Sequence, residues 1–237
     1  MRPRRPVTFV KRNRPLLSIS IGTAVLLAGA LLPLAPEQGR GGQVATGIVR
    51  GLVLFDGAKV PEGVIAGDAI VYLLGDLLVG AEPAEELPPP TMDQYDYTFV
   101  PHVLPLLAGT RLTFTNSDTE THNVHTRSKG RRRNRNFNRA QKPGSIMSTV
   151  FANPDSMRVT CDIHSQMFAH ILVLPNPFFT MAAEDGTFII AGIPAGSHEL
   201  LVWHEEYGTV KLVVEIRAGQ TTTVEMTLPS VLPGARE

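Results

Sequence analysis

From residue 46 onward the chain is a succession of short apolar runs punctuated by turn residues, and this even spacing restricts the fold more than any other feature. "GIVRGLVLF" ends on the turn signal Asp56-Gly57, and "AIVYLLGDLLV" is another apolar strand run. "YTFVPHVLPLLAGTRLTFTNSD" reads as two strands around Gly109, closing on an Asn-Ser-Asp turn, and "HNVHT", "SIMSTVFA", "MRVTCD" and "AHILVLP" supply four more. Nothing in this region repeats its apolar residues at the helical period. Such a pattern predicts an all-β sandwich or barrel. "AEPAEELPPP", residues 81–90, is expected to be an irregular surface segment, because its prolines cannot donate to a ladder.

A second unit is expected to start after "PNP". Asp185-Gly186, Pro194-Ala195-Gly196 and Ala218-Gly219 mark its turns. Its last strand alternates, with Val224, Met226 and Leu228 inward and Thr223, Glu225 and Thr227 outward. At about 55 residues such a unit is small for independent stability, so packing against the first is expected.

Compartment is set by the first 36 residues. "MRPRRPVTFVKRNRP" carries six basic residues and no acid, and the uncharged run "LLSISIGTAVLLAGALLPLA" follows. A basic flank before about 20 apolar residues is a signal peptide or a membrane-spanning anchor. The run is longer than a usual signal core and "LLPLAPEQG" makes a poor cleavage site, which favours an uncleaved anchor. The basic side stays in the cytoplasm, so the rest is placed outside it. The expected division is a cytoplasmic basic segment 1–15, a transmembrane helix 16–36, a Gly-rich linker 37–45, one sandwich over 46–175 with a basic loop 127–142, and a smaller one over 176–230. Basic and acidic residues balance at 22 each. With six cations at the N-terminus, the exported part is net acidic.

The single cysteine then poses a chemical question. No internal disulfide is available to Cys161, and in an oxidising compartment a bare thiol is a liability unless buried or ligated. In "TCDIHSQM" it is followed by His164 and Met167, which one turn can aim at a common point, whereas a strand would send alternate side chains to opposite faces. A thiolate, imidazoles and a thioether suit copper in its one-electron couple. The fourth donor is expected from a neighbouring strand, with His122 in "NSDTETHNVHT" as the candidate. A buried, unligated Cys161 and two metal-free strand histidines are the competing interpretation.

"FTNSDTETHNVHT" followed by "VTCDIHSQM" resembles the cupredoxins of the plastocyanin and azurin kind. "MDQYDYTFVPHVLPLLAGTRLTFTNSD" and "GTFIIAGIPAGSHELLVWHEEYG" resemble, more narrowly, exported bacterial plastocyanin-like proteins that join a cupredoxin domain to a carboxypeptidase-regulatory-like, transthyretin-like β-sandwich. The resemblance implies one mononuclear type 1 copper held by His122, Cys161, His164 and Met167. The step from His164 to Met167 is shorter than in plastocyanin. It matches the binuclear copper domain of cytochrome oxidase, which a lone cysteine excludes. Met167 as a weak or displaced axial ligand and His125 as an alternative donor both stay open.

Eight cations lie between residues 127 and 142: Arg127, Lys129, Arg131, Arg132, Arg133, Arg135, Arg139 and Lys142. Cations interleaved with Phe137 could hold nucleic acid, but export argues against that partner. A docking loop for an acidic redox protein such as a cytochrome, a subunit of a membrane complex or anionic lipid is expected instead. His102 and His204 are expected to be structural, since His204 and its neighbour Glu205 would face opposite ways on a strand and no Ser or Cys nucleophile has an identifiable partner. The function expected is that of a non-enzymatic electron carrier on the periplasmic side of the bacterial inner membrane, with electrons leaving through His164. The alternative is a bracing subunit of a membrane redox or photosynthetic complex without functional copper. Copper storage is a weaker reading, because the seven methionines are scattered.

Overall fold

The computed structural model describes residues 44–56, 66–75, 77, 89–128, 134 and 136–229. The expected cytoplasmic segment, anchor and linker lie outside them, as do Lys129, Arg131, Arg132, Arg133, Arg135 and most of the Pro-rich stretch. Among the described residues no helix is long and apolar enough to cross a membrane.

The described chain is all-β. Its strands are β1 (Thr46–Phe55), β2 (Ile70–Leu73), β3 (Thr91–Tyr95), β4 (Thr98–Val100), β5 (Val103–Leu107), β6 (Arg111–Asn116), β7 (His122–Ser128) and β8 (Asn138–Gln141). There follow β9 (Ile146–Val150), β10 (Asp155–Thr160), β11 (Phe168–Leu174), β12 (Phe179–Met181), β13 (Thr187–Pro194), β14 (Gly196–His204), β15 (Gly208–Ile216) and β16 (Thr221–Leu228). The stretch around Gly109 holds three strands rather than two, because Pro101 separates β4 from β5.

Four sheets form two sandwiches. In the first, the sheet ordered β5-β11-β10-β7-β8 faces the sheet ordered β4-β3-β6-β9, and Phe114, Phe151, Met157 and Ile171 fill the space between them. In the second, the sheet β13-β1-β16 faces β12-β2-β14-β15 around Phe55, Leu73, Ile193 and Leu200. The inward and outward alternation expected for β16 holds, with Met226 and Leu228 buried and Thr223, Glu225 and Thr227 exposed.

The strand pairing corrects the expected boundary. Residues 46–73 do not belong to the first sandwich: β1 runs parallel to β16 and antiparallel to β13, and β2 joins β14 and β12. The physical reason is core size. Residues 176–230 alone cannot enclose enough apolar surface, and Val49, Val53, Phe55 and Val71 supply what is missing. Close approach enforces one position on β1. A Cβ on Gly51 would collide with the Val224 carbonyl oxygen and sit 2.7 Å from the Phe188 ring.

The sandwiches meet along β11. Its residues Ala169, Ile171 and Val173 point into the first core, while Leu172 and Leu174 join Ile70 and Val103 in a separate cluster against Trp203 and Tyr72. Burial on both faces explains why "ILVL" is apolar without alternation. A polar clamp lies beside this seam. His102 Nε2 is 2.7 Å from Glu205 Oε1, and His170 Nε2 is 3.0 Å from Glu205 Oε2. Burial alone pushes the Glu205 carboxyl up, but the hydrogen bonds and charge of the two imidazoles outweigh it and hold the group well below the usual carboxylate range. The same bond to Glu205 raises the His102 pKa against the effect of burial. His102 is structural in this sense, and its partner is Glu205.

Candidate metal centre

The short connections at one end of the first sandwich bring the candidate ligands together. Thr160 on β10 pairs with Phe168 on β11, and one step beyond, the Cys161 N–H donates to the Met167 carbonyl at 3.1 Å. The Met167 N–H in turn donates to the His164 carbonyl at 3.0 Å. The loop therefore closes on itself, with Cys161 and Met167 opposite each other. Both side chains enter the first core and are almost completely buried.

His122 opens β7 and is fully buried. One ligand atom each from His122, Cys161 and His164 lie within 4.8 Å of one another. The two Nδ1 atoms are 2.9 Å apart, and Cys161 Sγ is 3.9 Å from His164 Nδ1. His164 is only half-buried, which makes it the more exposed of the two imidazoles, as expected. His125 does not join the group. Three residues on from His122 it faces the other way, with Nδ1 3.0 Å from both carboxylate oxygens of Asp162.

Neighbouring polar groups orient the donors. His122 Nε2 donates to Asp118 Oδ2 at 3.0 Å, which leaves its Nδ1 lone pair facing His164. Asp118 also accepts from the Tyr97 and Thr119 backbone N–H groups. The Tyr97 N–H first, and then His122, bring its pKa down to about 2. Asn123, next along β7, donates its backbone N–H to Cys161 Sγ at 3.5 Å and accepts the Asp162 N–H on its side-chain oxygen at 2.6 Å. Beneath the turn, buried Asn116 donates to the carbonyls of Glu120 and Gln141, so the connection from β6 to β7 is held from inside. Tyr97 lies edge-on to both imidazoles, at 5.7 Å from the His122 ring and 5.0 Å from the His164 ring.

The donor set fits a soft-to-borderline metal. A thiol and two imidazole nitrogens converge, a thioether residue sits at the other end of the loop, and a carboxylate fixes the tautomer of one imidazole, an arrangement that accompanies metal-ligating histidines. Met167 is placed beside Cys161 by backbone pairing, which puts the four expected residues in one end of one sandwich. Asp118, Asn123 and Tyr97 went unassigned in the sequence. Asp118 and Asn123 stand inside the motif that pointed to His122, whereas Tyr97 lies in a stretch that reads as strand and carried no signal of its own.

Of the cations expected to dock a partner, Arg127, Arg139 and Lys142 are described and exposed. Arg139 also lines a cavity of about 490 Å³ with Phe137, Met147 and Val150.

No protein-family model matches the chain, and no curated protein matches it. Structural similarity is found to a novel purple cupredoxin from Nitrosopumilus maritimus, at 19% identity over 35% of this chain and 98% of that one, with a TM-score of 0.32. A variant of amicyanin in its Cu(I) form aligns at 18% identity over 35% of this chain and 79% of the other, also with a TM-score of 0.32. A copper-containing nitrite reductase from Thermus scotoductus aligns at 22% identity over 51% of this chain, which spans 28% of the reductase, with a TM-score of 0.33.

Proposed function

We propose that the chain is a mononuclear copper protein that carries single electrons, held at the periplasmic face of the bacterial inner membrane by its N-terminal apolar segment. The supporting observation is the convergence of His122, Cys161 and His164, with their ligand atoms all within 4.8 Å. Bound by these residues and Met167, copper would supply a one-electron Cu(I)/Cu(II) couple.

The chain's own contribution is to hold the donors still. Burial of Cys161 and His122 keeps bulk water from two of the donors. Asp118 keeps the His122 Nδ1 free for a metal, and the Asn123 N–H holds the Cys161 sulfur in place. The half-exposed His164 gives an edge through which an electron could leave. In this reading the protein transforms no substrate. Arg127, Arg139 and Lys142 contribute to a cationic surface that would steer an acidic partner such as a cytochrome, and the second sandwich braces the first through Glu205 and the β11 seam.

Absorption and electron-spin-resonance spectra of the full chain with Cu(II) test this. One equivalent should produce an intense thiolate-to-copper band in the visible that disappears in Cys161→Ser. A colourless protein that takes up no stoichiometric copper would refute the carrier and leave the bracing subunit as the working function.

A further inference from the structure

The hairpin joining β3 to β4 carries a conformational exception, and it falls against the metal centre. Tyr95 pairs with Thr98 across the ladder, so the turn itself is Asp96 and Tyr97, both left-handed at φ 47° and 56°. Two left-handed residues match the twist of a two-residue hairpin, and the pairs that relax there are Asn-Gly and Asp-Gly. Aspartate tolerates the region, whereas the Cβ of a tyrosine crowds its own carbonyl. Among the described residues, every other left-handed position is glycine or aspartate. A tyrosine kept where glycine relaxes is local strain, and strain of this kind gathers at functional sites.

The ring and the backbone of Tyr97 both act on the ligands. The ring stands edge-on to the two imidazoles, at 85° to each. The backbone N–H donates at 3.1 Å to Asp118 Oδ2, the oxygen that accepts from His122 Nε2. The residue is 39% exposed while His122 beneath it is 0% exposed, so the ring forms part of the wall between the cluster and solvent. Substituting glycine would keep the N–H and remove the ring, which separates the two roles.

We propose that Tyr97 is a positioning residue of the metal centre: its ring fixes the rotation of His122 and His164 and closes their outer side. This rests on the copper reading and sharpens it, since a wall at this place slows small anions and chelators while leaving the His164 edge available for electron exchange. The device is local. Both ring contacts, the shared carboxylate oxygen and the strained turn belong to one residue.

Tyr97→Gly and Tyr97→Phe in the full chain provide the test, with three measurements on each. These are the thermal midpoint of the metal-free protein, the rate at which excess EDTA strips Cu(II), and the response of the visible band to azide. Glycine should leave the metal-free midpoint at or above that of the parent, because the turn relaxes. It should speed copper loss about tenfold, the weight of a lost edge-to-face aromatic contact, and allow azide to shift the band. Phenylalanine should match the parent in all three. A glycine variant that strips at the parental rate and ignores azide overturns the proposal alone. So does one whose metal-free midpoint falls, since the ring would then be ordinary packing. A parent that binds no Cu(II) overturns the copper reading and this proposal with it.

Discussion

Replacing Glu205 by glutamine should loosen the seam between the sandwiches, by an amount that depends on pH. The carboxylate accepts from both His102 and His170, one oxygen each. An amide keeps one acceptor and turns the other position into a donor, so one imidazole loses its partner and the other faces a neutral one. Hydrogen bonds to charged groups contribute about 1.5–3 kcal/mol each when buried. Partial exposure of these side chains reduces that, leaving about 2 kcal/mol at pH 6, or a fall in thermal midpoint of roughly 5 °C.

The sign follows from the direction of each shift. His102 has a raised pKa in the folded protein, so its stabilisation is full below the unfolded value near 6.5 and is lost as pH rises through the folded value. Glu205 is depressed, so its stabilisation is present above the unfolded value of 4.5 and is lost only in strong acid. The difference between parent and variant should therefore be largest between about pH 5 and 6 and shrink as pH rises through the raised His102 value. Asp68, raised by burial with His102 opposing, couples to the clamp along with His204. Arg158 lies over the Phe168 ring beside His102. All three are common to both proteins. Thermal melts of parent and Glu205→Gln across this range provide the assay. An equal loss at pH 6 and pH 9 would show that Glu205 acts by shape rather than charge, and the reasoning would fail.

Two further outcomes follow from the same structure. Asp118→Asn should weaken Cu(II) binding roughly tenfold to a hundredfold, as loss of a partner that orients a ligand usually does, measured by competition with a chelator of known affinity. Gly51→Ala should cost about 2 kcal/mol or more in a denaturant melt, because its new methyl meets the Val224 carbonyl on a strand fixed on both sides.

What could be read in the sequence was what lies close together in it. The Cys161–Met167 loop and the turn before His122 each fit within a few residues, so each was legible by itself, and the resemblance to cupredoxins is what joined their donors into one set. The membership of β1 was illegible because its partner β16 lies far along the chain, as the Arg50–Thr223 bond across 173 positions shows. Alternation placed Glu205 opposite His204 but could not reveal that His102 and His170 wait on that face. His125 illustrates the reverse: its nearness to His122 suggested a ligand, and the strand's two-residue period turned it toward Asp162 instead. Tyr97 was hidden for another reason, since an aromatic residue in a hairpin reads as strand until the turn geometry is seen.

Reversible one-electron cycling of the copper-loaded full chain tests the central claim most directly. Anaerobic titration should bleach the visible band with one electron per chain, and reoxidation should restore its full amplitude over repeated cycles. A band that fails to return, or that bleaches only with more than one electron per chain, would contradict a mononuclear electron carrier.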